Sequence, residues 1–301
     1  MNSYRILYNP RSGNGRGENV ARRLDALWPD KLLTYVDITR IADKAAYLAT
    51  IPEDEGIVLA GGDGTLGHFI NDLDGRVPDR EILYYAAGTG NDFLNDLERS
   101  GEDLPFRVNE YLQDLPMVKV NGMTKRFFNG VGFGIDGYCC EEADKIREKK
   151  SNKPVNYTVI VVKGFIYGYH RTKATVTVDG MTRHYEKVWL CPTMKGRYIG
   201  GGMKIAPDQD RLNPTKEVSL MVMRRKSKLK TLFLFPKVFN GNHVKHTDVV
   251  DVFKGHDIHV TFDRPTALQI DGETMIGVTE YRVTTGAQPS LATVAHAMAT
   301  V

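Results

Sequence analysis

Two aspartates stand inside glycine-rich turns, Asp63 in GGDGT and Asp92 in GTGNDF. Glycine turns present backbone N–H groups that attract phosphate, so a carboxylate among them needs a reason. Unscreened, it repels a phosphate strongly in a low-dielectric site. The conflict disappears if Mg²⁺ stands between them, because Mg²⁺ commonly takes one or two carboxylates together with water and substrate phosphates. The pattern predicts a site for a metal-bound nucleoside triphosphate. A third turn cluster, Asn9-Pro10-Arg11-Ser12-Gly13-Asn14-Gly15, adds amides and a hydroxyl of the same use. Each cluster alone reads as an ordinary turn. Three at one edge of a parallel sheet, past the strand ends, mark a ligand position.

The elements that must hold these turns alternate along the first third of the chain. Strands are predicted at residues 4–8, 32–37, 57–60 and 82–86, and helices at 18–27, 41–50 and 65–73, with another starting past residue 88. Strand–helix alternation at this spacing means βαβ units and a parallel sheet. From about residue 106 the pattern turns β-rich, with turn signals Asn121-Gly122, Asp179-Gly180 and Asp271-Gly272. That composition fits a sandwich or folded-over sheet, interrupted by helical intervals at about 141–168 and 226–239. The expected division is an α/β domain over 1–115, a β domain over 116–287, and a tail over 288–301 that returns to the first domain, hangs loose or forms a short helix.

Gly62-Asp63-Gly64-Thr65-Leu66-Gly67 also matches the dinucleotide fingerprint, after a strand and before a helix. The acid that would hold the ribose belongs at the end of the next strand, and that strand, ILYYAAG, ends in alanines. A second match, Gly132 to Gly137, lies where no βαβ unit is evident. A Walker A motif is absent, which excludes the P-loop class.

Composition narrows the partners. The 301 residues are 42% hydrophobic and 26% charged, enough for two cores. The net charge of +3, from 40 basic and 37 acidic residues, argues against a nucleic-acid partner. Cys139, Cys140 and Cys191 form neither a disulfide framework nor a metal spacing, so a reducing cytoplasm is the expected compartment. The start of the chain lacks the apolar core of a signal peptide. The longest apolar runs fall well short of the ~18 residues of a membrane span, so any membrane is met from the surface, at its inner face.

N-P-x-S-G, then G-G-D-G-T, then G-T-G-N-D-F resembles the diacylglycerol kinase catalytic domain, a family with soluble bacterial lipid kinases and kinship to sphingosine and ceramide kinases. The likeness continues through Asn129-Gly130-Val131-Gly132-Phe133-Gly134-Ile135-Asp136, Gly200-Gly201-Gly202-Met203-Lys204-Ile205-Ala206-Pro207 and Ile270-Asp271-Gly272-Glu273. It covers nearly the whole chain, in order. It implies an NAD-kinase- or phosphofructokinase-like nucleotide-binding domain, a β-sandwich domain after it, and an active site in the cleft between them. It also implies ATP and Mg²⁺ as cofactors and a lipid hydroxyl as acceptor.

The resemblance distributes roles. Asn9, Ser12 and Gly13 contact ATP phosphates, and Gly62, Gly64 and Thr65 cradle the β- and γ-phosphates. Asp63 acts through Mg²⁺. Gly88, Thr89, Asn91 and Asp92 complete the phosphate and metal surroundings, and Thr39 is a further nucleotide contact. Asp271 is the base that takes the acceptor proton, with Glu273 beside it. On an unbroken strand those two acids share a face; by residue type alone, Asp271-Gly272 reads as a hairpin turn. One segment departs from the pattern. Family members usually carry an Asp-Asp-Gly-x-x-Asp-like stretch with a structural Mg²⁺. Here the stretch runs from Asp208 to Glu217; Asp210, Asn213 and Glu217 could still bind a cation, but the altered spacing puts that accessory metal in doubt.

The run KSKLKTLFLFPKVF at 226–239 has two readings. One is a basic amphipathic helix on an anionic membrane. The other is a helix packing Leu229, Leu232, Phe233 and Phe235 into the core with lysines in water. The apolar stretch 157–169 either lines a lipid pocket or is a core helix. The pairs His243/His246 and His256/His259 lack the companions of a metal site. Rival functions are an NAD kinase-like enzyme and a nucleotide-binding regulator without catalysis. The sequence leaves the oligomeric state and the acceptor lipid open.

Overall fold

The computed structural model describes residues 1–88, 90–149, 160, 172–224 and 227–286. Its contacts divide the chain into two compact units, Met1–Leu115 and Pro116–Val301. The stretch 157–169, apart from residue 160, and the tail from 287 onward lie outside the described residues.

The first unit is built on β1 (Ser3–Tyr8), β2 (Leu32–Asp37), β3 (Glu55–Gly61) and β4 (Ile82–Ala86), all parallel, closed by a short antiparallel β5 (Phe106–Arg107). Their order is β2-β1-β3-β4-β5. Every residue of β3 is buried, as a central strand covered on both faces requires. Short helical segments connect the strands: α1 (Ser12–Gly15), α2 (Gly17–Ala21), α3 (Leu24–Leu27) and α4 (Lys44–Ala49). They are followed by α5 (Asp63–Asp72), α6 (Asp92–Asp96) and α7 (Asn109–Leu112). The single helix expected over 18–27 is the pair α2 and α3. The helix expected from residue 65 begins at Asp63, which puts that carboxylate in the first turn, where the helix dipole favours negative charge.

The second unit contains β6 (Met117–Val120), β7 (Met123–Arg126), β8 (Gly130–Gly134), α8 (Ile135–Lys149), β9 (Thr172–Val178) and β10 (Met181–Met194). It continues with β11 (Tyr198–Ile199), β12 (Met203–Lys204), β13 (Val218–Arg224), α9 (Lys228–Val238), β14 (Val250–Gly255), β15 (Asp257–Ile270) and β16 (Glu273–Thr284). Nine strands form one folded-over sheet in the order β14-β13-β10-β8-β15-β16-β6-β7, with β9 joined to both β10 and β15. The two fourteen-residue strands make the fold. β10 pairs β9 up to Val188, shifts register there, and then pairs β8 and β13. Lys187, at φ 61°, sits at that shift, as bulge residues do. β15 pairs β9 over residues 258–262 and β8 over 268–270.

Strict alternation fills both faces of the sheet. Val218, Leu220 and Val222 of β13 enter one core with Val131, Phe133, Leu268 and Tyr281. Met221 and Met223 enter a second core with Trp189, Leu234 and Val238. The α/β first half and the β-rich second half expected from the sequence are both present. The three turn signals are hairpins with positive φ at both corners: 46° and 78° at Asn121-Gly122, 46° and 86° at Asp179-Gly180, and 49° and 86° at Asp271-Gly272. That is the turn whose twist suits paired strands.

His243 lies at 0% exposure in a short 3₁₀ turn, with Nε2 3.1 Å from the Ile205 carbonyl. Burial lowers its pKa from 6.5 to about 4, against the pull of backbone hydrogen bonds. The unfolded chain therefore binds the extra proton first, and stability is lost as pH falls from about 6.5 toward 4. At ~1.4 kcal/mol per unit, this one group contributes a loss of roughly 3 kcal/mol. Urea unfolding across that range is expected to show the slope. His243→Gln keeps a donor to Ile205 without titrating, and is expected to flatten it.

Candidate active site

The chain leaves β1 toward β2 and reaches β4 from β3 on the other side. The C-terminal ends of β1 and β3 thus form the crevice where the winding reverses, the general ligand position of open α/β sheets. All three glycine-rich turns emerge at the ends of β1, β3 and β4.

Their side chains converge. Asn9 Nδ2 donates to Thr65 Oγ1 at 3.0 Å, and Asn9 Oδ1 accepts the Arg11 amide at 3.0 Å. Ser12 Oγ lies 3.3 Å from the same Thr65 hydroxyl. The Gly61 carbonyl accepts both the Ala87 amide, at 2.7 Å, and the buried Tyr84 hydroxyl, at 2.9 Å. Burial, then the charge of Asp63, pushes the Tyr84 hydroxyl well above its ordinary pKa, so it stays a donor. Asp63 Oδ2 accepts the Phe93 amide at 3.2 Å, tying the start of α5 to the start of α6. The backbones of two loops touch: a Cβ on Gly88 would lie 2.7 Å from the Cα of Gly62. Only glycine permits that approach. Gly13 packs the first loop onto the third, since a Cβ there would lie 2.6 Å from the Ala87 carbonyl. A Cβ on Gly64 would meet nothing within 4 Å, so the first turn of α5 faces open space.

Asn91 caps α6 in the left-handed region, φ 47°. Its Oδ1 is buried and finds no donor among the described residues. Asp92 is buried at the first position of α6. Among the described residues no group of three or more histidines, cysteines or acids forms a cation cage. Asp63 and Asp92 suit the other mode, in which Mg²⁺ takes a carboxylate or two and substrate phosphates. Thr89 lies outside the described residues. Thr39 sits apart, on the 3₁₀ turn after β2. Its Oγ1 and amide are bonded to Asp37 Oδ1, at 2.7 and 2.9 Å. Beside that turn opens a cavity of about 620 Å³ lined by Tyr8, Tyr35, Asp37, Arg40 and Tyr47, with Thr39 not in its wall.

In the second unit, Asp271 and Glu273 do not share a strand face. The hairpin turn at Asp271-Gly272 breaks the strand, and Glu273 opens β16, exposed and ion-paired with Lys125. The turn reading of Asp271 is right, but its side chain does more than turn. Oδ1 accepts the amides of Asn129 and Gly130, at 2.7 and 3.0 Å, and Oδ2 accepts that of Phe128 at 2.5 Å. Burial pushes its pKa up, opposed by those three amides and by the charge of Lys125.

The segment that departs from the expected metal pattern is closed by amides instead. Gln209 Nε2 donates to the Asp210 and Glu217 carbonyls, at 3.1 and 3.0 Å, and Asn213 Nδ2 donates to the same two, at 2.6 and 3.0 Å. Two –NH₂ groups bridge two carbonyl oxygens, the task a bound cation performs with charge. A donor set of this kind does not fit Mg²⁺, whose ligands are oxygens. Chelation of divalent cations by EDTA is expected to leave the melting temperature within about 1 °C, since no cation is linked to folding here. Asn213→Asp is expected to lower it and to make it rise again with added Mg²⁺, read by thermal scans.

The histidine pairs are separate. His243 binds Ile205, His246 meets Lys237, His256 meets Thr285, and His259 meets Glu280. The contacts that sequence reasoning missed are Tyr84 and Arg211, neither of which stands in a glycine motif. Arg211 reaches the Phe128 carbonyl and Asn129.

Comparison with known proteins places both units. Residues 3–116 match the diacylglycerol kinase catalytic domain, and residues 129–295 match the YegS C-terminal NAD kinase beta sandwich-like domain. The chain is 25% identical to a diacylglycerol kinase of Bacillus subtilis, over 91% of this chain and 90% of that one. It is 23% identical to a diacylglycerol kinase of Mycobacterium tuberculosis, over 84% and 83%. A crystal structure of a diacylglycerol kinase from Bacillus anthracis shares the fold, with a TM-score of 0.61 at 18% identity over 94% of each chain. The chain belongs to the diacylglycerol kinase catalytic-domain family, whose chemistry is phosphoryl transfer to an alcohol group of a lipid.

Proposed function

We propose that this kinase moves the γ-phosphoryl group of ATP, with Mg²⁺, to a hydroxyl of diacylglycerol or a related lipid. The observation that carries the reading is the convergence of three turns on one crevice, with Asn9, Ser12 and Thr65 hydrogen-bonded together and Asp63 at the head of α5. Phosphoryl transfer demands in-line positioning and neutralised charge more than covalent chemistry. Mg²⁺ supplies the neutralisation when bound, and Asp63 and Asp92 are the residues that hold it. Asn9, Ser12, Thr65 and the open first turn of α5 hold phosphate oxygens. Gly88, Thr89 and Asn91 complete that wall. The cavity beside Thr39 suits a nucleoside, with aromatic walls, two carboxylates, Asp37 and Asp43, and one guanidinium. The unit up to Leu115 is thereby the ATP-binding domain and the second unit the acceptor domain.

The lipid oxygen attacks the γ-phosphorus, the bond to the bridging oxygen breaks, ADP leaves, and the hydroxyl proton passes to a carboxylate. Asp271 is that carboxylate, with Glu273 as the neighbouring acid. A carboxylate has about four lone-pair sites, and three are taken by amides, which leaves one on Oδ2.

The lipid is met at a surface. No helix among the described residues is long and apolar enough to cross a membrane. Phe233 of α9 is 65% exposed, with Lys230 and Lys237 one helical turn away on the same face. Lys237 Nζ lies 4.3 Å from its ring centroid. Leu234 and Val238 take the opposite face into the core. Lys230 is ion-paired with Asp248, so an exposed ring beside Lys237 is what this face offers an anionic lipid surface. Phe233→Ala is expected to weaken binding to phosphatidylglycerol-containing vesicles several-fold, read by co-sedimentation.

Transfer of label from γ-labelled ATP to diacylglycerol, monoacylglycerol, phosphatidylglycerol, sphingosine and ceramide in mixed micelles tests the proposal. NAD serves as the soluble control. Label in one lipid, dependent on Mg²⁺, is the expected result. Label in NAD alone overturns it.

A further inference from the structure

Asp271 does not hold its loop alone. The three amides that point at its carboxylate belong to Phe128, Asn129 and Gly130, and that segment is gripped again by Arg211. Arg211 Nη1 donates to the Phe128 carbonyl at 2.5 Å, and Nη2 donates to Asn129 Oδ1 at 2.7 Å. The guanidinium lies 4.8 Å from the Phe128 ring centroid. Arg211 and Asn129 are each only 4% exposed. Burying a guanidinium is costly unless its donors are used, and a rigid fork of donors is what Arg offers over Lys. Arg211 is itself fixed, because it stands inside the segment closed by Gln209 and Asn213.

We propose that Arg211 is a positioning residue. By holding the Phe128 carbonyl and the Asn129 side chain, it fixes the three amides that orient the Asp271 carboxylate. The inference rests on the reading of Asp271 as proton acceptor for its effect on rate, but not for its effect on the carboxylate. Lys125 of β7, whose charge acts on Asp271, and Glu273 of β16, paired with Lys125, also face this corner. They are unchanged in the variants below.

The test uses the full chain. Arg211→Met removes the donors and keeps the length, and Arg211→Lys keeps one donor. The Asp271 carboxyl is titrated by ¹³C NMR, and kcat is measured against pH with saturating ATP. In Arg211→Met the Asp271 midpoint is expected to rise by about one unit, because the three backbone amides that favour the ionised form lose the grip that aims them. The acid limb of kcat is expected to move with it, kcat at neutral pH to fall about 10- to 100-fold as for lost supporting contacts, and KM for ATP to stay. Arg211→Lys recovers part of each. Val222→Ala, a core change elsewhere in the unit, is expected to lower stability while moving neither titration. An unmoved midpoint and an unmoved acid limb in Arg211→Met overturn the proposal. Should Arg211→Met fail to fold, Asn129→Ala removes one of the two grips and must give a smaller shift in the same direction. Activity in Asp271→Asn, with the midpoint still moved in Arg211→Met, removes the base assignment and leaves the positioning role standing.

Discussion

Asp63→Asn is expected to lower lipid phosphorylation by about 10³-fold, ~4 kcal/mol of transition-state stabilisation, while the protein keeps its fold. The structure separates the two jobs of this side chain. Its Oδ2 accepts the Phe93 amide, which an asparagine oxygen accepts equally well. The first turn of α5 and the tie to α6 therefore survive, and the change in stability is expected to stay under ~1 kcal/mol. What disappears is the negative charge. On the proposed reading Asp92 alone would then hold Mg²⁺, so the loss falls on kcat and on the apparent affinity for Mg²⁺. KM for the lipid is expected to stay constant. Steady-state kinetics over a Mg²⁺ series, with a thermal scan of the same preparation, measures all of these. A rate within tenfold of the parent removes Asp63 from the metal site.

Asp271→Asn is expected to be costly twice. The carboxylate satisfies three backbone amides with two oxygens. Asparagine has one oxygen, so either the Phe128 amide or the Asn129 and Gly130 amides face an –NH₂ group. One or more buried donors lose their partner, at ~1–3 kcal/mol each. The rate is expected to fall about 10²- to 10⁴-fold as general-base assistance is lost. The pH dependence has a definite sign. Burial raises the carboxyl pKa, and a base must be ionised. Activity of the parent therefore falls on acidification through a midpoint above the ordinary carboxylate range, and Asp271→Asn abolishes that limb. Glu273→Gln separates the two acids. Its carboxylate is exposed and ion-paired with Lys125, and exposed pairs contribute little, so its stability change is expected to stay under ~1 kcal/mol. Whichever variant loses the larger factor in kcat at matched stability identifies the proton acceptor.

Much of this was legible in the residues. Parallel strands need apolar runs and turns at fixed intervals, so β2 and β4 were readable to the residue, at 32–37 and 82–86. The hairpins were readable because Asn-Gly and Asp-Gly are the sequences that tolerate positive φ at both corners. The convergence of the three glycine-rich turns was readable because each follows a strand of one parallel sheet. The start of α5 was set two residues late, since Asp63 and Gly64 look like loop by propensity and are helical through their tertiary contacts. The Asp271 corner was half legible. Asp-Gly announced the turn, but nothing in the local sequence says that its carboxylate reaches residues more than 140 positions earlier. Arg211 was invisible for the same reason: a buried guanidinium is defined by what it touches, and its partners are over 80 positions away. The substitution of amides for a cation at 208–217 was visible as a departure from a pattern, and only the paired carbonyls explain it.

The two long bent strands have a consequence for how the second unit is made. β10 and β15 each run through both layers of the folded sheet, and β8 and β9 are clamped between them. Neither layer is complete until β15 has met β9, at least 80 residues earlier in the chain, and β8, more than 130 residues earlier. Loop closure of that length precedes any reward from pairing, which is the regime of slow, high-contact-order folding. The same threading leaves no seam along which half of the unit can open while the other half stays paired. The second unit of this kinase should therefore assemble late, as a single cooperative event, and the polypeptide that carries it spends its vulnerable interval before β15 arrives.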